Sequence, residues 1–321
     1  MRIMLALTAA LAALLGSDAG HTQTFPDRPV TVVVPYGPGG TGDVIARTLA
    51  EHLQKQMGAT FLVLNKPGAA GTLGAAAVGR STPDGYTLLL GYTSEMVITP
   101  ALMDKPGYAL DDFVPVAFTG ETPLLLIGRL GLPADDMRGL LKAFKAQSAK
   151  FTYASAGPGS PAHIAGELLN RTAGVALVQV PYKGGAQAVG DILGGHVDVY
   201  FSGMPPALPN VQTNKAVALA VTGTARAPLL PNVPTMKEVG LEGFDLSGWF
   251  MLFAPRQTPG AVVDLLRRET ARALQDDAVR AKLAQAGVEV RSMDPAQMAA
   301  FLDHEHRKYE RLLKDLNISQ K

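Results

Sequence analysis

The sequence contains no cysteine, which excludes disulfides, thiolate metal sites and a cysteine nucleophile. Aromatic residues make up only 6% of its 321 residues, and 29 Lys and Arg nearly balance 28 Asp and Glu. Because no block of basic residues occurs, the sequence disfavours nucleic acid as a partner. The lack of cysteine is compatible with export, since a chain of this length can bury an adequate core without disulfides.

Long apolar runs are also missing beyond the N-terminus. Arg2 precedes the apolar stretch Ile3–Leu15, and the small residues Ser17–Ala19 follow it. This order is typical of a secretory signal peptide, and the run is short for a membrane span, which leaves an N-terminal anchor as the alternative. We expect residues 1–24 to hold the signal peptide and a short lead, and the mature protein to be periplasmic.

A glycine-rich turn dominates what the sequence does contain. Val30–Val34 is a β-branched run typical of a buried parallel strand, and Tyr36–Gly42 carries four glycines. From Asp43 onward, apolar residues recur near helical spacing. A strand that enters a helix through such a turn leaves unpaired N–H groups at the positive end of the helix dipole. This geometry predicts that the turn binds a carboxylate of a small organic acid.

The same turn fits the dinucleotide-binding pattern G-x-G-x-x-G, over Gly37–Gly42. Three features count against a nucleotide: the next strand ends in Asn65 rather than an acid, Pro38 removes a backbone donor, and an exported protein would find little soluble cofactor. A structural turn without any ligand is the remaining alternative. We therefore expect no cofactor.

The second half of the chain repeats this arrangement. Phe151–Ala154 predicts a strand, Ser155–Gly159 a glycine turn, and Ser160 with Pro161 a helix start. The strand and helix pattern before it runs β-α-β-α-β-α, which predicts a parallel sheet with helices on both faces. We place one crossover between domains near residues 119–124, and the return at Ser247–Pro255. The expected domains are 25–121 with 252–321, and 122–251, with a hinge and a ligand cleft between them.

Several side chains are candidates for this cleft. Thr93 or Ser94 is expected to cap a short helix, and Asp43 either contacts a ligand or stabilises its helix in a pair with Arg47. His163 either approaches the ligand or pairs with Glu167. The candidate ligand-binding residues are Tyr36, Gly37, Gly39, Gly40, Asp43, Thr93, Ser94, Ser155, Gly157, Gly159, Ser160, His163, Tyr182, Gly184 and Ser202.

Catalysis and metal binding find little support. No G-x-S-x-G motif occurs, and no carboxylate pair suggests acid–base chemistry. His304 and His306 are two residues apart on a predicted helix and point in different directions. Trp249, the single tryptophan, is expected to pack at the hinge rather than stack on a ligand. We expect neither catalytic residues nor a metal site.

Taken as a set, these motifs resemble one known family. The chain is similar to the Bug (TctC-like, UPF0065) extracytoplasmic solute receptors of tripartite tricarboxylate transporters from about residue 25 to its C-terminus. The matching stretches are Phe25–Val30, Pro35–Arg47, Asn65–Gly71, Pro83–Leu88, Tyr153–Ser160 with His163, Val180–Gly185, Gly248–Phe250, Ala254–Pro255 and Thr258–Pro259.

The resemblance implies a two-domain α/β fold of the type II periplasmic-binding-protein kind and no enzymatic activity. It implies a monomeric receptor that passes a carboxylate to membrane transporter subunits; the acid would be an aliphatic di- or tricarboxylate, an acidic amino acid or an aromatic acid. It also implies that the turns Tyr36–Gly40 and Ser155–Ser160 hold a carboxylate, partly through water. A sensor that signals to a membrane kinase, or an exported enzyme, are the alternatives.

Glu95 departs from the family pattern, which has uncharged residues there. Facing the cleft, its carboxylate would repel an acid and favour a ligand with an amino group. In the first turn of a helix and facing water, it would only suit the helix dipole, and this is the orientation we expect.

Overall fold

The computed structural model describes residues 25–103 and 105–318, so the expected signal peptide lies outside the described residues. Nine strands are described: β1 (Val30–Val34), β2 (Phe61–Asn65), β3 (Thr87–Tyr92), β4 (Phe113–Gly128), β5 (Thr152–Ser155), β6 (Val178–Pro181), β7 (Val199–Gly203), β8 (Val217–Val221) and β9 (Ser247–Pro255).

The helices alternate with these strands and then close the chain. They are α1 (Thr41–Met57), α2 (Thr72–Gly79), α3 (Thr99–Leu102), α4 (Met137–Gln147), α5 (Pro161–Ala173), α6 (Gly185–Leu193), α7 (Met204–Gln212), α8 (Gly260–Gln275), α9 (Asp277–Gln285) and α10 (Pro295–Leu316). One turn of π-helix, Ser94–Ile98, leads directly into α3. Among the described residues, none of these helices is both long and apolar enough to cross a membrane.

The strands form one path in the order β2-β1-β3-β9-β4-β7-β5-β6, with β8 paired to β4. Strand β1 is parallel to β2 and β3, and β5 is parallel to β6 and β7, whereas β4 and β9 run antiparallel to their neighbours. The expected parallel sheets are therefore present, each completed by antiparallel pairing that the sequence pattern did not indicate.

Strand β4 connects the two halves of the molecule. Its first part, Phe113–Pro123, pairs with β9, and its last part, Leu124–Gly128, pairs with β7 and β8. We call the half that contains β1, β2, β3, β9 and the first part of β4 lobe 1, and the half around β5–β8 lobe 2. The chain returns to lobe 1 at Ser247, which pairs with Pro123.

Apolar residues cover both faces of the sheet in lobe 1. On one face, Val30, Val32 and Val34 pack with Ile45 and other residues of α1, α8 and α9. On the other face, Val33 and Leu89 belong to a core that continues through α10 into lobe 2. This continuous core explains why the C-terminal helix is amphipathic along its whole length.

Candidate functional site

A cavity of about 50 Å³ lies between the two lobes. Residues of both lobes line it, and within the described part of the chain none of the lining side chains is charged. The lining consists of Tyr36, Gly40, Thr41, Gly42, Tyr92, Ala156, Ser160, Pro161, Ala162, Gly185, Tyr200, Phe201, Gly203, Pro206 and Phe250.

The first residues of four helices meet at this cavity. Helix α1 follows the N-cap residue Gly40, α5 follows Ser160, α6 follows Gly184, and α7 follows Gly203. Because the first N–H groups of a helix have no partner inside the helix, each start presents a positive dipole end and N–H donors, although Pro161 of α5 and Pro205 and Pro206 of α7 carry no N–H. Four such ends around one cavity favour a negatively charged ligand.

The start of α1 illustrates these donors. The amide of Val44 is the first in α1 to bond back, to the Gly40 carbonyl at 3.1 Å. Within residues 25–103 and 105–318, the amides of Gly40, Thr41 and Gly42 have no hydrogen-bond acceptor. These N–H groups remain available for an acceptor in the cavity.

Aromatic rings form one wall of the cavity in lobe 1. The rings of Tyr36 and Tyr92 meet edge to face with centroids 5.5 Å apart, and Tyr92 stacks on Phe250 at 4.6 Å. From lobe 2, Tyr200 faces the same space. Burial raises the pKa of Tyr200 and of Tyr92, so both phenols stay neutral. The wall therefore offers apolar surface and neutral hydroxyl groups.

The two lobes are in contact around the cavity. A Cβ atom placed on Gly184 would lie 3.2 Å from the Gly37 amide nitrogen, and one on Gly39 would lie 3.3 Å from the Ala186 methyl group. The Ser94 hydroxyl lies 2.9 Å from the carbonyl oxygen of Gly159 in the other lobe. The cleft is thus closed, and a ligand of the inner cavity would be surrounded by protein.

A second cavity, of about 280 Å³, lies at the mouth of the cleft. It shares Tyr36 and Ala156 with the inner cavity and is also lined by Gly71, Gly157 and Tyr182. Lys183 also lines this second cavity, and its side chain is exposed to solvent. The two cavities are therefore neighbours, with Tyr36 and Ala156 between them.

Comparison with known proteins agrees with this architecture. Residues 45–318 match the model of the tripartite tricarboxylate transporter family receptor. The chain is 35% identical to the protein BugT of Bordetella pertussis over 316 residues, which cover 98% of this chain and 95% of BugT. The chain belongs to this receptor family.

Solved structures of relatives share the fold closely. The periplasmic binding protein BugD is 34% identical and superposes with a TM-score of 0.89, over 92% of this chain and 100% of BugD. MatC of Rhodopseudomonas palustris, solved with bound malate, is 34% identical with a TM-score of 0.85, over 90% of this chain and all of MatC. The chain is accordingly a solute-binding receptor of the periplasmic-binding-protein type and not an enzyme.

In lobe 1 the receptor braces its first glycine turn with Asp43. The Asp43 carboxylate accepts hydrogen bonds from the Gly39 amide at 3.0 Å, from Arg47 Nε at 2.9 Å and from Asn65 Nδ2 at 3.0 Å. Burial alone would raise the pKa of Asp43, but these hydrogen bonds outweigh it and hold the pKa below its usual value. The expected Asp43–Arg47 pair is confirmed, and Asp43 supports the turn rather than lining the inner cavity.

In lobe 2 the second glycine turn is held by its own side chains. The Ser155 hydroxyl accepts hydrogen bonds from the Gly157 amide at 3.1 Å and from Gln179 Nε2 at 2.7 Å. The Ser160 hydroxyl accepts from the His163 amide at 3.3 Å, which confirms Ser160 as the N-cap of α5. Of these residues, Ser160 lines the inner cavity and Gly157 lines the mouth.

His163 also belongs to this support. Its Nδ1 accepts a hydrogen bond from the Gly159 amide at 3.2 Å, and burial lowers its pKa, so the ring is neutral. Glu167, the alternative partner expected for His163, instead accepts a hydrogen bond from the Tyr153 hydroxyl. The Gly159 amide is therefore occupied by the imidazole ring.

The remaining predicted residues differ in how close they come to the cavities. Tyr182 lines the mouth and donates to Asp191 at 2.8 Å, while the buried Ser202 donates to the Gly203 carbonyl at 2.9 Å. Thr93 holds the expected N-cap position, before the π-helical turn, but its side chain makes no capping hydrogen bond. Thr93 Oγ1 instead accepts from the Trp249 amide at 3.0 Å, and Ser94 bridges the lobes.

Two other residues show how tertiary packing decides a role. Glu95 is fully buried, so its expected exposure to water is wrong. The cause is the π-helical turn, which directs its carboxyl group behind Tyr36 and Tyr92 rather than into either cavity. Trp249 is also fully buried and donates to Glu305 of α10 at 2.9 Å, in agreement with packing at the hinge.

Much of the cavity wall was not predicted from the sequence. Tyr92 ends strand β3 and Phe250 lies in the middle of β9, and nothing in the sequence pattern indicated that their rings meet. Helix α7 was missed because it holds three prolines, although prolines at its first turn are compatible with a helix. Within the described residues, no group of three or more His, Asp or Glu side chains could hold a metal ion.

Proposed function

We propose that the receptor binds one carboxylate group of a small organic acid in the inner cavity and delivers the acid to the membrane subunits of a tripartite transporter. The convergence of four helix starts on an uncharged cavity carries this proposal. Malate in the related MatC supports the same ligand class. Charge-assisted hydrogen bonds contribute about 1.5–3 kcal/mol each, so three or four could support micromolar affinity after losses.

The size of the cleft favours an aliphatic acid over a tricarboxylate or an aromatic acid. A single water occupies roughly 10–15 Å³ by the same kind of measure, so the inner cavity of about 50 Å³ has room for a carboxylate and a few carbons. The mouth cavity of about 280 Å³ would take the remainder of a longer acid. The exposed Lys183 at the mouth would attract a second carboxylate.

We extend the proposal to the organisation of the protein. The expected domains, 25–121 with 252–321 and 122–251, follow the two lobes except at their bounds, because β9 pairs within lobe 1 from Ser247 onward and β4 passes to lobe 2 after Pro123. The receptor acts as a monomer in the periplasm after loss of its signal peptide. Tyr36, Gly37, Gly40, Ser160 and Gly184 are the predicted residues that lie nearest to the closed cleft.

The ligand can be found by a thermal-shift screen of the mature protein. The screen should contain aliphatic diacids, tricarboxylates, acidic amino acids and aromatic acids, with calorimetry on any acid that raises the midpoint. We expect an aliphatic diacid to bind with one site per chain. If no acid of any group raises the midpoint, the proposal fails.

One substitution tests the role of the helix start directly. Thr41→Pro removes a single N–H at the first position of α1, where proline is tolerated, and Gly40 already has the extended backbone that proline requires of its predecessor, with φ −78° and ψ 172°. We expect affinity to fall by about tenfold or more. The control is Thr41→Val, which keeps the amide and removes the hydroxyl. Equal affinity of the proline and valine variants would contradict the proposal.

A further inference from the structure

The fully buried Glu95 lies directly behind the aromatic wall of the cleft. Its Oε1 accepts a hydrogen bond from the Tyr92 amide at 2.6 Å, and its Oε2 lies 3.1 Å from the Tyr36 hydroxyl. Gly71 covers the same carboxyl group so closely that a Cβ atom there would lie 2.5 Å from Oε2. The carboxyl group is therefore fixed in position and touches the tyrosine that lines both cavities.

No positive charge compensates this carboxyl group among the described residues. The titratable groups that face Glu95 are phenols: Tyr36 from the turn after β1, Tyr92 from β3, and Tyr108 from the loop before β4, whose hydroxyl donates to the Glu95 carbonyl. Burial raises the pKa of Glu95 to about 8. The group thus holds its proton at neutral pH and loses it only in mildly alkaline solution.

The neighbouring hydroxyl group and carbonyl oxygen indicate which atom accepts a hydrogen bond from the protonated Glu95. The Tyr36 hydroxyl lies 3.0 Å from the Ala70 carbonyl oxygen, which can only accept, and in one arrangement of this network Tyr36 donates its single hydrogen there. A protonated Oε2 of Glu95 can then donate to the Tyr36 oxygen. All three groups are satisfied in this arrangement, which requires the carboxylic acid form of Glu95.

This chain of hydrogen bonds reaches the contact between the lobes. The Ser94 hydroxyl lies 3.1 Å from the Ala70 oxygen and 2.9 Å from the Gly159 oxygen of lobe 2. When Tyr36 donates its hydrogen to the Ala70 oxygen, the single hydrogen of Ser94 is free to form the bond to the Gly159 oxygen. In the other arrangement, with Glu95 ionised, Tyr36 donates its hydrogen to the carboxylate and Ser94 donates its hydrogen to the Ala70 oxygen. No hydrogen then remains for the bridge from Ser94 to Gly159 between the lobes.

We propose that Glu95 is a positioning residue, and that its proton allows the cleft to close on an organic anion. The inference rests on the proposed binding of a carboxylate. Two effects act in the same direction when the proton leaves: the Ser94–Gly159 bridge opens, and a negative charge appears behind the wall of an anion site. Affinity for the acid therefore falls as the pH rises.

Calorimetry on an acid found in the screen tests this relationship between pH 7 and pH 9. If only the protonated form binds, the dissociation constant rises about tenfold over this range. At pH 8, half of the free protein and all of the complex carry the proton, so binding takes up about half a proton per chain. Titrations in two buffers with different ionisation enthalpies measure that uptake. His163 is neutral throughout this range and contributes none.

The decisive variant is Glu95→Gln, because a glutamine amide can donate to Tyr36 and accept from Tyr92 at every pH. We expect it to bind the acid at pH 9 as well as at pH 7, with no proton uptake. The control is Glu51→Gln, which removes one exposed negative charge on α1 and keeps the pH dependence of the wild type.

The outcomes separate this inference from the proposed function. If the wild type binds an acid equally at pH 7 and pH 9 without proton uptake, the role of Glu95 is refuted and carboxylate binding stands. If Glu95→Gln keeps the pH dependence, the role is refuted as well. The proton uptake of the wild type decides the matter even if the variant does not fold. If no acid binds at pH 7, the proposed function and this inference both fail.

Discussion

Gly37 of lobe 1 and Gly184 of lobe 2 approach each other across the cleft with little room for a side chain. A Cβ atom on Gly184 would lie 3.2 Å from the Gly37 amide nitrogen and 3.5 Å from its Cα atom. Gly184 has φ 175° and ψ 164°, an extended backbone that any residue adopts, so its lack of a side chain reflects space and not conformation. Closure of the cleft depends on this approach.

Gly184→Val is therefore expected to hold the lobes apart. Its branched side chain would meet the Gly37 backbone only in the closed state, so we expect ligand affinity to fall by about tenfold or more while the unfolding midpoint without ligand changes little. Calorimetry and thermal unfolding measure the two effects. The control is Gly190→Ala on α6, since a Cβ atom at Gly190 meets nothing within 4 Å. Tight binding by the valine variant would show that closure does not need this contact.

The buried carboxyl group of Glu95 predicts a specific dependence of stability on pH. Its pKa is raised from 4.5 to about 8 in the folded protein, so between these values the native state holds a proton that the unfolded chain releases. The free energy of unfolding then falls with rising pH, by up to about 1.4 kcal/mol per pH unit from this group.

Glu95→Gln should remove that fall. Urea unfolding of both proteins without ligand at pH 5.5 and pH 7.5 measures it, and we expect the stability of the wild type to fall relative to the variant between the two pH values. Glu51→Gln, at an exposed carboxylate on α1, should instead follow the wild type. Parallel pH dependences of wild type and Glu95→Gln would contradict a raised pKa.

Local patterns in the sequence predicted the elements that carry the cleft. Strand β1 and the start of α5 lie where an apolar run and the Ser160–Pro161 pair placed them, because burial and capping act over a few neighbouring residues. Ser247–Pro255, expected only as the return to the first domain, forms strand β9. Strand β4 contains Pro115, Gly120 and Pro123, residue types that are uncommon inside strands. The structure shows one strand whose register shifts next to Pro115 and Gly120, while Pro123 pairs in register with Ser247.

The parts of the site that depend on long-range contacts could not be predicted in this way. The Tyr92–Phe250 stack joins residues of β3 and β9 that are far apart in sequence, and the position of Glu95 depends on a π-helical turn that no periodic pattern indicates. The glycine content of the sequence indicated the two turns, and the resemblance to a receptor family implied that both of them hold a carboxylate. The resemblance did not give the lobe contacts, which arise only when both turns are folded.

The hydrogen bond between Trp249 and Glu305 joins β9 to the C-terminal helix. Both side chains are buried, with 2.9 Å between Nε1 and Oε2, and Lys308 donates to the other carboxylate oxygen at 3.1 Å. Trp249→Phe would leave Oε2 without its donor, which costs about 1–3 kcal/mol. Urea unfolding of the wild type, Trp249→Phe, Glu305→Ala and the double variant gives a double-mutant cycle. The cycle separates the coupling energy between the two side chains from the loss of packing. A coupling energy near zero would show that the bond does not stabilise the junction.

Asp43 provides a test in which two physical effects oppose each other. Its carboxylate lies next to the proposed anion site, so Asp43→Ala removes a repulsive charge, which alone would tighten binding. The same change releases the Gly39 amide and frees the turn that must present its donors, and ordering such a turn again costs about 1–2 kcal/mol per residue. We expect bracing to prevail and affinity for the acid to fall by about tenfold, as measured by calorimetry.

Arg47→Ala is the matched control for this change. It breaks the same ion pair from its exposed side but leaves the Asp43 bonds to Gly39 and Asn65 intact. We expect its affinity for the acid to stay within about threefold of the wild type, because exposed ion pairs contribute little. Tighter binding by Asp43→Ala would mean that charge outweighs bracing. Equal losses in both variants would mean that the ion pair, and not the carboxylate–amide bond to Gly39, holds the first glycine turn in its binding conformation.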